Sequence, residues 1–183
     1  MKPLKRFKWT LTALLVMVIG AGITAGHSLY QEPPATLLIK ANPEHSFWPQ
    51  TWAASAVLWL MPPREADIDK LNARAAAQEF TLLPNRTLAN AILEHFLDHG
   101  LKINAHNTAG GSQMTALHYA ALSDDPEAVR MLLHLGADTK AVDKDGKTPL
   151  QLVDQAAELN PNKDFSKVQT LLKDWQGEDA TAG

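Results

Sequence analysis

The fold of this chain is decided by residues 115–150, which read TALHYAALSDDPEAVRMLLHLGADTKAVDKDGKTPL. The segment opens with TALHYA at Thr115, and a related segment, TPLQLV, begins at Thr148. The two threonines are 148 − 115 = 33 residues apart. An internal repeat with a period of about 20 to 50 residues predicts an array of stacked supersecondary units instead of one irregular core.

The repeat predicts two antiparallel helices followed by a loop. Two apolar stripes with helical spacing mark the pair: Leu117, Ala120 and Ala121 on the first helix, and Val129, Leu132 and Leu133 on the second. Thr115 can cap the first helix, and Pro126 suits the first turn of the second, because its φ is fixed near the helical value. Gly136 is suited to the left-handed C-terminal position, and Asp143 to Gly146 predicts a hairpin tip.

This unit resembles the ankyrin repeat. The residues at the signature positions of that family are Thr115, Leu117, His118, Ala120, Ala121, Val129, Leu132, Leu133, Gly136, Ala137, Asp138, Asp143, Gly146, Thr148, Pro149 and Leu150. Ala116 replaces the usual proline, and Asp124 with Asp125 replaces the usual Gly-His turn. The resemblance implies an all-α fold, a helix-turn-helix solenoid, in which His118 has a structural role through hydrogen bonds to the backbone and to the neighbouring threonine.

Weaker copies flank the central unit. The segment AILEHFLDHGLKINAHN before it repeats the second half of the unit, with Gly100 matching Gly136, and Ile68 to Phe80 supplies a first helix for a degenerate unit over residues 65–106. After it, Leu150–Leu159 and Phe165–Trp175 form a third pair. We therefore expect an ankyrin domain over residues 65–176 and a flexible tail over 177–183, because terminal repeats are usually atypical.

The N-terminus predicts a membrane anchor. Residues 9–26 read WTLTALLVMVIGAGITAG, without a charge, and follow four cations in the first eight residues. A helix over residues 9–30 is long enough to span a bilayer, and aromatic residues bracket it. The basic tip, residues 1–8, should stay cytoplasmic, which places the ankyrin domain on the non-cytoplasmic side, the periplasm if the source is bacterial.

Two alternatives to this transmembrane helix are open. A cleaved signal peptide fits the charged start, but cleavage after Ala25 puts the β-branched Ile23 where a small residue is preferred, and the apolar run is longer than usual for a signal peptide. A buried helix of a soluble protein is the other. Both the anchor and the signal peptide export the body of the protein.

Residues 31–64 are predicted to be a linker that contains a short Trp-rich helix. Three prolines predict an extended conformation for residues 31–47. Trp52 to Met61 is an apolar run that is too short to span a bilayer. That short helix either lies at the membrane surface or packs against the following domain. Packing is favoured, because a surface helix would normally carry Lys or Arg on its polar face.

Composition narrows the functional classes. The net charge is −3, but the basic tip carries four of the 17 cations, so from His27 onward the balance is 13 − 20 = −7. An acidic body lacks the basic surface that binds phosphate backbones, so we expect no nucleic acid partner. The chain has no cysteine, which excludes disulfides, thiolate nucleophiles and cysteine-based metal sites.

The candidates for chemistry are weak. His95 and His99 are four residues apart on a helix, but Phe96 occupies the place of a zinc-protease glutamate and no third ligand is evident, so a solvated helix face is favoured. Asp143, Asp145 and Gly146 resemble the first residues of a calcium-binding loop. The twelfth position of such a loop would be Asp154, but a helix is predicted to begin before it, so a calcium site is disfavoured. Residues 85–87, Asn-Arg-Thr, form a glycosylation acceptor triplet. We expect no catalytic residue, metal or cofactor.

The ankyrin resemblance implies a protein partner, bound by the hairpin tips and the exposed side of the first helices. In this chain that concave surface would include Asn107, Gly111, Gln113, Leu122, Ser123, Val142, Lys144, Asp145 and Lys147. The favoured function is a membrane-anchored, non-catalytic protein-binding module that acts as an adaptor or inhibitor. The first alternative is an exported soluble accessory protein that protects or chaperones an enzyme after signal-peptide cleavage. The second is an enzyme that uses His95 and His99.

Overall fold

A computed structural model of the chain describes residues 31–41, 54, 56, 58 and 62–181. The described residues form helices and contain no strand, in agreement with the predicted all-α class. They divide into two compact units, with the boundary between Met61 and Pro62. The numbered helices are α1 (Pro34–Ala41), α2 (Glu65–Ala73), α3 (Ala77–Thr81), α4 (Arg86–Asp98), α5 (Ala116–Leu122), α6 (Pro126–His134), α7 (Pro149–Leu159) and α8 (Ser166–Thr181).

The first unit contains α1, where an extended linker was predicted, and that prediction is wrong for these residues. Pro34 is the first residue of the helix, and the Pro33 carbonyl accepts the backbone N–H groups of Thr36 and Leu37. Proline is favourable at a helix start, so the prolines begin a helix instead of keeping the chain extended. In the predicted Trp-rich helix, the described residues Ala54, Ala56 and Leu58 are helical.

The predicted basic tip and membrane span, residues 1–8 and 9–30, lie outside the described residues. Within residues 31–41, 54, 56, 58 and 62–181, no helix combines the length and the hydropathy needed to cross a bilayer.

The second unit is built on helix pairs. The pair α5–α6 is the predicted central one, and its two apolar stripes are buried as expected, with Leu132 and Leu133 among the least exposed side chains. Helix α5 also packs on α3 and α7, and α8 packs on α6 and α7. We call α3, α5 and α7 the inner helices and α4, α6 and α8 the outer helices. The loops over residues 101–115 and 137–148 are called the first and second finger.

The helix predicted over Ile68 to Phe80 is instead two helices, α2 and α3. Ala75 between them has a φ of 54°, and α2 ends with the Ala76 N–H donating to the Leu71 carbonyl. This is the hydrogen-bond pattern of a Schellman motif, which usually has glycine at the left-handed position. Because Ala75 carries no glycine signal, the sequence pattern did not reveal the break.

Two asparagines tie successive segments together in the same way. The Asn72 side chain donates to the Gly100 carbonyl (3.1 Å) and accepts from the Lys102 N–H (2.7 Å). The Asn104 side chain does the same with the Gly136 carbonyl (3.2 Å) and the Asp138 N–H (2.8 Å). The end of α2 therefore binds the start of the first finger through Asn72, and the first finger binds the start of the second in the same way through Asn104. Helix α2 thus takes the place of a preceding repeat at the N-terminal end of the array.

The third pair has the predicted helices, but its last helix is longer than expected. Helix α8 continues to Thr181, so residues 177–181, predicted to be a flexible tail, are helical. Contacts with the central unit hold the preceding turn: the Trp175 ring packs edge-on against His134, with centroids 5.2 Å apart, and the Gln176 side chain donates to the Thr139 carbonyl (3.4 Å). A helix anchored at this point adds further residues at little cost, because propagation is easier than nucleation.

Candidate functional site

The tip of the second finger is organised by the Asp143 carboxylate. Its Oδ1 accepts the backbone N–H groups of Asp145 and Lys147, both at 2.9 Å, and Gly146 takes a φ of 75°. The predicted hairpin tip is therefore confirmed. Since Asp143 is buried and its Oδ1 already accepts two donors, its geometry is that of a turn-forming side chain.

The first finger is a hairpin with a more exposed tip. The Asn107 N–H donates to the Met114 carbonyl (2.9 Å), and the Gln113 N–H donates to the Asn107 carbonyl (3.1 Å). The residues at its tip, 108–111, are exposed, and Gly111 takes a φ of 68°. The Thr108 and Ala109 N–H groups both donate to the carbonyl of Ala73 at the end of α2, which holds this tip in place.

Tyr119 on α5 joins the inner helix to the first finger. Its hydroxyl lies 2.6 Å from the Asn107 Nδ2 and 2.9 Å from the Ser112 Oγ. The Ser112 carbonyl in turn accepts the backbone N–H of Lys144 at 3.1 Å, which links the first finger to the second. These hydrogen bonds bring Asn107, Ser112, Tyr119 and Lys144 together into one surface, which we call the tip cluster.

The structure brings only some of the predicted surface residues to the tip cluster. Asn107 and Lys144 belong to it, and Gln113 lies beside it, where its carbonyl is 2.6 Å from the His106 Nδ1. The remaining predicted residues occupy the fingers and the end of α5: Gly111 and Asp145 are exposed at the two tips, Val142 is 45% exposed before the second tip, Leu122 and Ser123 end α5, and the Lys147 ammonium donates to Gln155 on α7.

Sequence reasoning missed three residues of this surface. Ser112 and Tyr119 belong to the tip cluster, and Gln155, on the next inner helix, accepts from the Lys147 ammonium. The 33-residue period carried a signal for Gln155, because it is the counterpart of Leu122. No such spacing marks Ser112, whose role depends on how the finger folds back onto α5.

His118 has the structural position that the resemblance implied. Its Nδ1 accepts the Thr115 N–H (3.1 Å) and lies 2.8 Å from the Thr115 hydroxyl, while its Nε2 lies 3.1 Å from the Lys147 carbonyl. An acceptor at Nδ1 and a donor at Nε2 define a neutral ring. Burial lowers the pKa of His118 from its ordinary value of 6.5, and this outweighs the opposing effects of the Lys147 carbonyl and the Asp143 carboxylate.

The His95 and His99 rings lie close to each other at the C-terminal end of α4. Their centroids are 4.4 Å apart, and the His99 Nδ1 lies 2.6 Å from the His95 carbonyl oxygen. Across the residues that the structure describes, no group of three metal-ligating side chains is present. The arrangement is therefore explained by local helix-end hydrogen bonding.

The outer helices carry two shallow grooves. One of about 560 Å³ lies between α6 and α8, and one of about 390 Å³ lies between α4 and α6. Glu127 and Arg130 line both. The other charged residues of the linings are basic: Lys167 in the first groove and Arg86 in the second.

Comparison with known proteins agrees with this architecture. A sequence model of the family described as "Ankyrin repeats (many copies)" matches residues 90–153, from α4 into α7. Residues 90–153 carry ankyrin repeats. Repeats of this family are generally non-catalytic protein-interaction domains.

The chain is also similar to part of a much longer protein, the tyrosine-protein kinase HTK16 from Hydra vulgaris. The two are 41% identical over 64 residues, which are 35% of this chain and 8% of the kinase. This chain therefore matches only a small part of that relative's length, and the kinase activity in its name is stated of that protein alone.

Proposed function

We propose that this chain is a non-catalytic adaptor or inhibitor whose ankyrin repeats hold another protein on the finger tips and the adjoining inner-helix surface. The observation that carries this proposal is the tip cluster. Hydrogen bonds through Tyr119 and Ser112 make the two fingers and α5 one continuous surface, so the Asn107, Ser112 and Tyr119 side chains are fixed in position before a partner arrives. Preorganised side chains bind at a lower cost in conformational entropy.

The exposure of this surface also supports the proposal. Val142, an apolar residue, is 45% exposed beside the charged Lys144 and Asp145, and the repeat core does not require any of these three side chains to be buried. Exposed apolar and charged side chains on loops that a rigid frame holds in place are common features of binding surfaces.

The location of the module is the second part of the proposal. Residues 9–30 anchor the chain in a membrane, residues 1–8 stay in the cytoplasm, and residues 31–64 connect the anchor to the domain at 65–176 on the non-cytoplasmic side. This rests on the uncharged run after a basic start. In a bacterium the compartment would be the periplasm.

An affinity experiment tests the binding surface. The full-length chain, carrying an affinity tag, captures partners from detergent-solubilised membranes of its source, and captured proteins are identified by mass spectrometry. Replacing Leu122, Lys144 and Asp145 together by Ala should abolish capture and leave helicity and melting temperature nearly unchanged. The matched control replaces His95 and His99 by Ala and should capture normally. Capture that is lost in the control and kept in the triple variant would contradict the proposed surface.

A further inference from the structure

The two hydroxyl groups of the tip cluster carry one more hydrogen-bond proton than the protein uses. The Gly110 N–H lies 2.6 Å from the Asn107 Oδ1, which fixes that atom as an acceptor and the Asn107 Nδ2 as a donor to Tyr119. The Met114 N–H donates to the Ser112 Oγ at 3.3 Å. The two hydroxyls therefore each accept an N–H, and one of them donates to the other.

This count leaves one O–H proton, whichever hydroxyl donates within the pair. Tyr119 and Ser112 supply two protons, and their mutual hydrogen bond at 2.9 Å uses one. Among the described residues, no further acceptor lies within hydrogen-bond distance of either hydroxyl. Both side chains are partly exposed, so the remaining proton is available to an acceptor from outside the chain.

The backbone of an exposed lysine lies next to this donor. The Lys144 backbone N–H is bound to the Ser112 carbonyl at 3.1 Å, so the lysine side chain starts beside the hydroxyl pair. Lys144 is exposed, and its ammonium forms no ion pair within the described part of the chain. A hydroxyl donor and an ammonium together favour an anionic acceptor, because charge-assisted hydrogen bonds are the stronger ones.

We propose that the partner places the carboxylate of an Asp or Glu side chain on the Tyr119–Ser112 hydroxyl pair and the Lys144 ammonium. This inference rests on the proposed function and specifies the chemistry of the partner. A singly charged carboxylate fits better than a phosphate group, because the exposed Asp145 lies next to Lys144 in the chain and repels a doubly charged group more strongly.

The charges of Lys144 and Asp145 should then have opposite effects on binding affinity. Lys144→Gln should weaken binding about tenfold, the loss that corresponds to one charge-assisted hydrogen bond. Asp145→Asn should strengthen binding about two- to threefold at low salt, and this gain should shrink as added salt screens the repulsion.

The hydroxyl pair should show a non-additive effect. Tyr119→Phe or Ser112→Ala alone leaves one O–H proton available, so each should weaken binding no more than about threefold. The double variant removes both hydroxyls and should weaken binding about tenfold or more. The matched control is Lys167→Gln on α8, an exposed lysine away from the fingers, which should bind as the unchanged protein does.

The probe is a random peptide library panned on the full-length chain in detergent micelles. We expect enriched peptides to share an acidic residue, and a synthetic copy with Asn for Asp or Gln for Glu should bind at least about tenfold more weakly. Enrichment of neutral or basic peptides, the absence of any enriched peptide, or binding unaffected by both Lys144→Gln and the double hydroxyl variant would overturn the inference.

The pull-down keeps this result separate from the proposed function. If the Leu122, Lys144 and Asp145 triple variant loses a protein partner while the selected peptides are not acidic, the binding surface stands and the carboxylate inference is wrong. If the triple variant captures its partner normally, the proposed surface itself is wrong.

Discussion

The Nε2 of His118 lies 3.1 Å from the carbonyl oxygen of Lys147, and this hydrogen bond joins the first turn of α5 to the end of the second finger. The opposite ring nitrogen accepts the Thr115 backbone N–H, so a second proton on the ring would break that hydrogen bond and leave the Thr115 hydroxyl as its acceptor. Neutral His118 is therefore part of the finger's support, and its protonation is coupled to the stability of the repeats.

Acidification should destabilise the second unit through His118. Its pKa is lowered by burial in the folded state, so below the ordinary value of 6.5 the unfolded chain binds a proton that the folded chain does not. Stability is therefore fully present above about pH 6.5 and is lost as the pH falls towards the lowered folded pKa. Denaturant unfolding at pH 7.5 and 5.5 should show this loss, and His118→Gln should reduce it. If His118→Gln loses as much stability between pH 7.5 and 5.5 as the unchanged protein, His118 is not the group that couples stability to pH.

The central apolar stripe should carry much of the stability. Leu133 is 2% exposed, and Leu133→Ala should cost about 2–5 kcal/mol through lost burial and the cavity left behind. Leu159→Ala is the matched control, since Leu159 is 73% exposed and its replacement should change the stability by less than about 0.5 kcal/mol. Thermal or denaturant unfolding measures both. A cost below about 1 kcal/mol for Leu133→Ala would mean that the stripe is not core.

The 33-residue period was sufficient to predict α5, α6, the start of α7 and the burial of Leu132 and Leu133. These features follow from local spacing, because each repeat buries its apolar stripe against a neighbour of the same kind. The break at Ala75 was missed because alanine is a good helix former, and only the surrounding contacts place it in the left-handed region.

The candidate site was less accessible to sequence reasoning. Asn107 and Lys144 were predicted on the binding surface by their position in the fingers. Their link through Ser112 and Tyr119 depends on where a folded finger meets an inner helix, and residue spacing does not encode that approach. The same holds for Asn72, which acts across 28 and 30 residues, from 72 to 100 and 102.

The proposed membrane anchor can be tested biochemically. The mature protein should retain its first 26 residues and stay in the membrane pellet after carbonate or high-salt washing, because a long apolar run partitions into the bilayer and its cleavage context is poor. N-terminal sequencing and immunoblotting of the pellet measure this. A mature N-terminus near His27 would favour the exported soluble form instead.

The turn between α5 and α6 offers a stabilising substitution. Asp124 has a φ of 58°, and its N–H donates to the Ala121 carbonyl at 3.1 Å, so it holds the left-handed position that glycine usually takes. Asp124→Gly should raise the free energy of unfolding by up to about 1 kcal/mol, while Asp124→Val should lower it by about 1–2 kcal/mol, because β-branched residues disfavour this region. Chemical denaturation of both variants is the measurement. A loss of stability on Asp124→Gly would contradict backbone strain at this turn.

A buried hydroxyl in the second finger offers a second stabilising substitution. Thr139 is 2% exposed, and its Oγ1 has no hydrogen-bond partner among the described residues. Its counterpart 36 residues earlier is the apolar Ile103. Thr139→Val keeps the shape of the side chain and removes the unsatisfied hydroxyl, so it should raise the free energy of unfolding by about 1 kcal/mol.

The same substitution at Thr115 is the matched control for Thr139→Val. Thr115 is equally buried, but its Oγ1 lies 2.8 Å from the His118 Nδ1, so Thr115→Val breaks a hydrogen bond that supports the second finger. We expect it to lower the free energy of unfolding by about 1–2 kcal/mol, the opposite sign to Thr139→Val. Urea unfolding of the two variants at pH 7.5 compares them directly. If both substitutions destabilise the protein to the same extent, the Thr139 hydroxyl is bound in solution, and a water molecule that bridges it to the backbone becomes the explanation to test.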